Sequence, residues 1–277
     1  MSKTPRWAAV GKVCSARPFV KSVLEKTMCR AWGLHKEARF RDLGSNTFEV
    51  HFGSEGDWKH AMNNGPWQFD FSVLILKEYE GRIRPSEMIF DKIDVWVRVI
   101  DLPPDRRTEA FGKALGNWLG EAVKVDVDKE GVARGQYLRV RTKISVYEPL
   151  VRGFYLKTAA EDEEQMWYDF YYEKVPHFCF ECGRLVHAGG VCEPPVDSTS
   201  QWGGWLRASP GRNNSGKEGT GGWLQAAIII VGARATTTLG IIIKRRWMFQ
   251  PRGICRMSSR DQLIPALAVD TSLTKER

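Results

Sequence analysis

Between residues 7 and 80 the apolar positions change their period in a readable order. Trp7 to Cys14 reads as a short strand. Pro18 suits the first position of a helix. Val20, Val23, Leu24, Thr27, Met28 and Ala31 then recur at helical spacing on one face, up to Gly33. Glu37 to Asp42 and Thr47 to Phe52 read as two strands, and Leu43-Gly44-Ser45-Asn46 between them is a hairpin signal. Ser54 is placed to cap a short helix containing Trp58, Ala61 and Met62, which Asn64-Gly65-Pro66 breaks. Phe71 to Glu78 reads as the closing strand. The order β-α-β-β-α-β predicts an α+β unit over residues 1–80 of the ferredoxin-like, RRM-like split βαβ kind.

Residues 81–93 read as a linker, and a second small α+β unit follows over residues 94–175. Asp94 to Ile100 is a strand with Val95, Val97 and Val99 on one face. Leu102-Pro103-Pro104 turns the chain. Thr108 to Leu119 is a helix with Phe111, Leu115, Trp118 and Leu119 inward, ended by Gly120. Ala122 to Val127, Tyr137 to Val146, Gly153 to Lys157 and Trp167 to Glu173 complete a mostly antiparallel sheet. Residues 193–225 are rich in Gly, Ser, Pro and Asn, so 196–277 is expected to be a disordered, basic tail.

Charge adds a partner class to this picture. The formal net charge is +8. Residues 196–277 hold 12 Lys/Arg against 5 Asp/Glu, and residues 1–41 hold 10 against 2, so both ends are basic. Glu161 to Glu164 lead the compensating acidity of the middle. Basic ends suit a polyanion, although a solvated surface is an equal alternative on charge alone. Arg234 and Gly232 interrupt the apolar stretch Ala226 to Ile243, which does not read as a membrane span. Six cysteines without a leader-like apolar run at the N-terminus predict an intracellular protein with thiols and no disulfides, nucleus or cytoplasm left open.

Three of those cysteines fall between 179 and 192. The segment Cys179-Phe180-Glu181-Cys182-Gly183-Arg184-Leu185-Val186-His187-Ala188-Gly189-Gly190-Val191-Cys192 has the spacing C-x2-C-x4-H-x4-C. Two thiolates three residues apart grip one ion in a tight turn, and His187 and Cys192 complete a tetrahedral donor set that matches zinc. No protein ligand position is left open, so Zn2+ is expected to be structural, within a CCHC zinc knuckle over residues 176–195. So short a loop folds only on its metal. Phe180 is placed to stack a base and Arg184 to meet a phosphate. The alternative for Phe180 is packing against the neighbouring sheet.

Around this motif the chain resembles the plant retrotransposon-derived family called domain of unknown function 4283, followed by its CCHC knuckle. The marks are Arg17-Pro18-Phe19, Phe48-Glu49-Val50-His51-Phe52, Gly65-Pro66-Trp67, Val95-Trp96-Val97-Arg98-Val99 with Leu102-Pro103, and Leu138-Arg139-Val140-Arg141. They continue through Glu148-Pro149-Leu150, Arg152-Gly153, Tyr172-Glu173-Lys174-Val175-Pro176 and Trp205-Leu206-Arg207. The resemblance covers residues 5–212. It implies a gag-like or first-reading-frame product of a mobile element that binds RNA or single-stranded DNA and self-associates. One departure is Val186, where such knuckles carry Gly before the histidine; a β-branched residue resists a left-handed backbone.

Two sheet faces are candidates for nucleic acid besides the knuckle. If Phe52 is aligned with the last aromatic of an RNA-recognition strand, the stacking positions fall on Thr47 and Glu49, which cannot stack. Phe48, Val50 and Phe52 share the other face and are expected in the core. In the second unit, alternation puts Tyr137, Arg139, Arg141 and Lys143 on one face, with Arg134 just before them. That line either tracks a phosphate backbone or is paired with carboxylates such as Asp126 and Asp128.

No P-loop, metalloprotease or nucleophile motif occurs, and His35, His51, His60 and His177 are scattered. The expected function is zinc-dependent, non-catalytic binding of single-stranded RNA or DNA. The expected partners exclude a membrane and a small-molecule substrate. The rival reading is an assembly protein that self-associates and meets nucleic acid incidentally.

Overall fold

The structure, a computed structural model, describes residues 7–157, 165–194 and 201–208. The expectations for the acidic run 161–164 and for residues 209–277, including the apolar stretch 226–243, lie outside the described residues. The chain divides into two compact units. One holds residues 7–152, 170–194 and 201–208; the other is the hairpin of residues 153–157 and 165–169.

The first fold runs β1 (Ala8–Val13), α1 (Lys21–Ala31), β2 (Arg39–Gly44), β3 (Thr47–His51), α2 (Glu55–Asn63), β4 (Trp67–Phe69) and β5 (Ser72–Glu78). Its antiparallel sheet has the strand order β2-β3-β1-β5-β4. This is the split βαβ arrangement that the sequence predicts, with one short strand, β4, that its pattern did not show. Three residues are too few to display an alternation.

The helices cover one face of the sheet, and aromatic residues fill the space between. Trp32 is buried and packs on Phe40, Phe52 and Trp67, with ring centroids 5.8, 5.5 and 6.5 Å away. Phe48, Val50 and Phe52 belong to this core, as alternation on β3 requires. The helix α1 differs from expectation. It begins at Lys21, with Val20 as its N-cap, so Pro18 lies outside it. Leu24 and Met28 are buried, whereas Val20 and Val23 are 64% and 52% exposed. A helix of 11 residues meets the sheet along one i, i+4 line, narrower than the stripe read from sequence.

Ser54 caps α2 by accepting from the Asp57 backbone N–H at 3.2 Å. The Asp57 carboxylate in turn accepts from the backbone N–H groups of His35 (3.1 Å) and Lys36 (3.0 Å). Burial opposes its charge, but these donors, with Ser54 and the His35 ring, outweigh burial and bring its pKa down to about 2. The carboxylate thus ties the start of α2 to the loop before β2.

The second fold repeats this plan. It runs β6 (Lys92–Ile100), α3 (Glu109–Leu119), β7 (Glu121–Val125), β8 (Tyr137–Ser145), β9 (Gly153–Lys157) and β10 (Gln165–Glu173). β6 lies between β8 and the Phe170–Glu173 half of β10, and β7 flanks β8. Residues 165–169 pair with β9 in the hairpin unit, as β5 pairs with β4 in the first fold. All these pairings are antiparallel. Thr108 caps α3, accepting from the Phe111 N–H at 3.3 Å. Gly116 lets α3 approach closely, because a Cβ there would meet Ala122 and Val140 at 2.9 and 3.0 Å.

One element is missing from the repeat. Where α2 stands between β3 and β4, the second fold has only the loop 146–152 between β8 and β9. That loop holds the cysteine-rich segment instead. The Val186 N–H donates to Val146 O at 2.9 Å, and the Leu150 N–H donates to Gly183 O at 2.9 Å. Residues 201–208 then return to the same place. The Trp202 indole is buried and donates to Leu150 O at 2.8 Å, Leu206 is buried, and the Ala208 N–H donates to Tyr172 O at 2.9 Å beside a parallel bridge of Arg207 to Tyr172. The expectation of a structureless stretch from residue 193 is therefore corrected at 201–208. Two large apolar side chains in a Gly- and Ser-rich stretch have no period, so only the surface that receives them shows their role.

Candidate metal centre and nucleic-acid interface

The chain direction through residues 179–192 brings all four expected ligands together. Their donor atoms lie within 4.8 Å of one another. The Cys179 and Cys192 sulfurs are 3.7 Å apart, and the Cys182 sulfur is 3.2 Å from His187 Nε2. A zinc ion bound at about 2.3 Å to sulfur makes tetrahedral edges of about 3.8 Å, so the first separation is such an edge and the second is a few tenths of an ångström short of one. Three thiols and one imidazole fit zinc in chemistry as well as spacing. Cys182 is buried and the other three are more open.

Backbone bonds shape the turn that carries Cys179 and Cys182. The Gly183 N–H donates to Cys179 O, and the Cys179 N–H donates to Arg184 O, both at 2.9 Å. Gly183 has φ +73°, and a Cβ there would lie 2.3 Å from the Trp202 ring nitrogen. Both facts demand glycine at this position. Val186 takes no left-handed conformation; Gly189 and Gly190, after the histidine, carry positive φ instead. The steric objection to a β-branched residue before His187 therefore has no force in this backbone.

Electrostatics favour a cation in the centre. Burial raises the Cys179 thiol pKa, but the backbone N–H groups of Cys182 and Glu181 overcome it and the net value falls below the ordinary one. Desolvation pushes the Cys192 thiol up to about 12, and the neighbouring sulfurs Cys179 and Cys182 add to the rise. Sulfurs this close cannot all ionise without a positive charge between them, which a divalent metal supplies.

Phe180 is 43% exposed on the outside of the turn, so the packing alternative is only partly realised: its ring meets Phe178 at 5.3 Å. The His177 ring is 6.3 Å from it on another side, and 6.0 Å from Phe71 at the β4–β5 turn of the first fold. The His177 N–H donates to the Gln68 side chain at 3.1 Å, which joins the knuckle to that hairpin. Arg184 Nη1 donates to Glu193 O at 3.3 Å, and Arg207 lies 5.4 Å over the Phe178 ring. Phe71 and His177 had no motif to mark them; only the folded chain brings them to Phe180.

The basic strand has a different outcome. Tyr137, Arg139, Arg141 and Lys143 do share the face of the second sheet opposite α3, but each cation meets a carboxylate. Arg139 bonds Glu173 at 2.9 and 2.8 Å and Asp126 at 3.0 Å, and its guanidinium lies 3.8 Å over the Trp96 ring. Arg141 reaches Asp94 at 3.1 Å and Lys143 reaches Glu121 at 3.3 Å. Arg98 also bonds Glu173, at 2.5 Å, and lies 4.7 Å over Tyr137. Between the two alternatives for this strand, the structure carries the paired one. Asp126 is among the partners; Asp128 is not, because it accepts from the backbone of Glu130 and Val132 and pairs with Arg134. Asp94, Glu121 and Glu173 lie on neighbouring strands whose register the sequence does not display. Arg141 and Lys143 also line a groove of about 830 Å³ with Trp58, Trp67 and Ile89.

In the first fold, Thr47 and Glu49 are the positions that the alignment on Phe52 assigns to base stacking. Glu49 is buried and paired with Arg41 at 2.5 Å and His51 at 2.9 Å. Val10, Val73 and Ile75, on the same face as Glu49, are buried too, with Phe90 beside Lys77. Buried side chains cover this face over its central strands.

Two family models match parts of the chain. Residues 4–87 match the family model Domain of unknown function (DUF4283), and residues 147–194 match a zinc knuckle model. No curated protein sequence matches the chain. Structures with some likeness include the Caenorhabditis elegans NONO-1 homodimer (11% identity, half of each chain, TM-score 0.23). The first two RRM domains of yeast poly(U)-binding protein Pub1 match at 15% identity over 49% of this chain and 81% of that one, with a TM-score of 0.21. RNA-recognition domains 1 and 2 of Drosophila melanogaster Sex-lethal match at 19% over 50% and 85%, with a TM-score of 0.23. By its sequence models and its donor geometry together, the chain carries a DUF4283 region followed by a CCHC zinc knuckle.

Proposed function

We propose that the protein binds single-stranded nucleic acid, RNA or DNA, without catalysing a reaction on it, through a knuckle that zinc orders. The observation that carries this reading is the donor set Cys179, Cys182, His187 and Cys192 on a turn that exposes Phe180 and holds Arg184 half-buried beside it. The four protein donors fill a tetrahedron and leave no site for substrate, which makes the ion structural. When bound, it fixes the turn. Phe180 then presents a ring face to a base, and Arg184 a charge to a phosphate. The paired cations of β8 are assigned to the sheet's own stability. The resemblance to plant mobile-element products suggests a retrotransposon-derived origin, with self-association as the competing role.

The test is fluorescence anisotropy of labelled single-stranded RNA and DNA with the zinc-loaded chain and with Cys179→Ser. The reading expects the variant to lose most of its affinity and the wild type to weaken as salt rises. Equal binding by both would move recognition away from the knuckle. No binding by the wild type at low salt, with oligomers forming as concentration rises, would replace this function by assembly.

A further inference from the structure

The β4–β5 turn of the first fold presents a feature that its own stability does not require. Asp70 and Phe71 form a two-residue hairpin turn with φ of +47° and +57°. Such turns favour Asn or Asp followed by Gly, and a bulky aromatic with positive φ is an unfavourable choice there. Phe71 is also 75% exposed. It therefore gains little from burial and strains its backbone. A side chain held in such a position is explained by what it meets outside the fold.

Its surroundings indicate what that is. The Phe71 ring stands edge-on to His177 at 6.0 Å, and His177 lies 6.3 Å from Phe180. The three rings come from two regions that no motif connects, and the bond from the His177 N–H to Gln68 holds those regions together. Cations accompany the rings. Arg184 sits in the same turn as Phe180, Arg207 covers Phe178 next to Phe180, and Lys174 is three residues before His177. Among the described residues, none of Lys174, Arg184 and Arg207 is in an ion pair, in contrast to the cations of β8. Asp70 and Glu181 are acidic neighbours in sequence, and Glu193, whose carbonyl accepts from Arg184, is a third. Exposed ring faces beside unpaired cations are the means by which single strands are held without sequence preference.

Resting on the nucleic-acid reading above, we propose that Phe71, His177 and Phe180 form one composite base-stacking site for single-stranded RNA or DNA. The site spans the first fold and the knuckle, so binding bridges two parts of the chain. Affinity then depends on a residue more than a hundred positions from the zinc ligands.

The experiment compares the full zinc-loaded chain with Phe71→Gly, Phe71→Trp and Phe180→Ala, using labelled oligouridine and oligothymidine at low salt. Glycine suits the turn, so Phe71→Gly keeps or raises the melting temperature. Its affinity is expected to fall about fivefold to tenfold, comparable with Phe180→Ala, while Phe71→Trp keeps binding. Binding by Phe71→Gly within about twofold of wild type, with Phe180→Ala weakened, overturns the composite site and leaves the knuckle reading standing. If Phe71→Gly instead abolishes concentration-dependent self-association and leaves binding unchanged, the patch is a protein interface and the proposal fails. No binding by the wild type removes the function itself, and this site with it.

Discussion

The two folds of this chain share a plan and differ in one connection. Between β3 and β4 stands α2, whose start is fixed by Ser54 and Asp57 and whose inner side faces the aromatic core around Trp32. Between β8 and β9 stands a bare loop, and the sheet recruits Cys179–Cys192 and Gln201–Ala208 to it. The first connection is stabilised by caps and apolar burial that the chain carries locally. The second is proposed to depend on a metal, because fourteen residues around four ligands bury too little to fold alone. A fold that can do without one of its helices thus gains a place to attach the knuckle.

The sharpest test of this contrast is removal of the metal. Structural zinc contributes on the order of 10 kcal/mol to folding of such modules. Chelation or Cys182→Ser is therefore expected to release residues 176–194 and 201–208, seen as rapid proteolysis there and a changed signal from Trp202 and Trp205. Protection of residues 7–78 from hydrogen exchange should persist. Loss of both together would show that the folds are one cooperative unit and break the comparison.

Next in size is Trp202→Ala. It empties a buried indole site and removes the bond to Leu150, and about 3–5 kcal/mol is expected from denaturant unfolding. Zinc affinity should fall with it, measured by competition with a chromogenic chelator. Unchanged zinc affinity would mean that the knuckle does not need its dock.

Asp57 sharpens the comparison from the other fold. Its pKa is lowered from 3.8 to about 2, so its stabilisation is complete above about pH 4 and is lost as pH falls through about 2. Asp57→Asn is expected to cost about 2 kcal/mol at neutral pH and to flatten the acid limb of the stability curve. A limb as steep as that of the wild type would assign the loss to other carboxylates. The smallest effect belongs to Lys143→Ala. Its pair with Glu121 is exposed, worth about 0–1 kcal/mol, and nucleic-acid affinity should change less than about twofold. A large loss of affinity would return β8 to the interface.

Much of this anatomy was legible in the sequence, for identifiable reasons. Alternation placed Phe48, Val50 and Phe52 in one core and put Arg139, Arg141 and Lys143 on one face. Ser54 announced its helix through a local bond that needs no tertiary partner. Less visible were features made between segments. The stripe on α1 was read too wide because burial depends on where the sheet lies under it. Trp202 and Leu206 read as loose chain because isolated apolar residues have no period.

What the sequence by itself determined is the set of four metal donors, the fold class and the Ser54 cap, because each is written within a few residues or in a repeating period. Whether a side chain is occupied or available is settled between strands and segments far apart in sequence. The pairing of β6, β8 and β10 brought Asp94 to Arg141 and Glu173 to Arg139. The docking of the knuckle beside the β4–β5 turn brought Phe71 to His177. Register and docking are sums over many weak, distant contacts, and no local spacing encodes them.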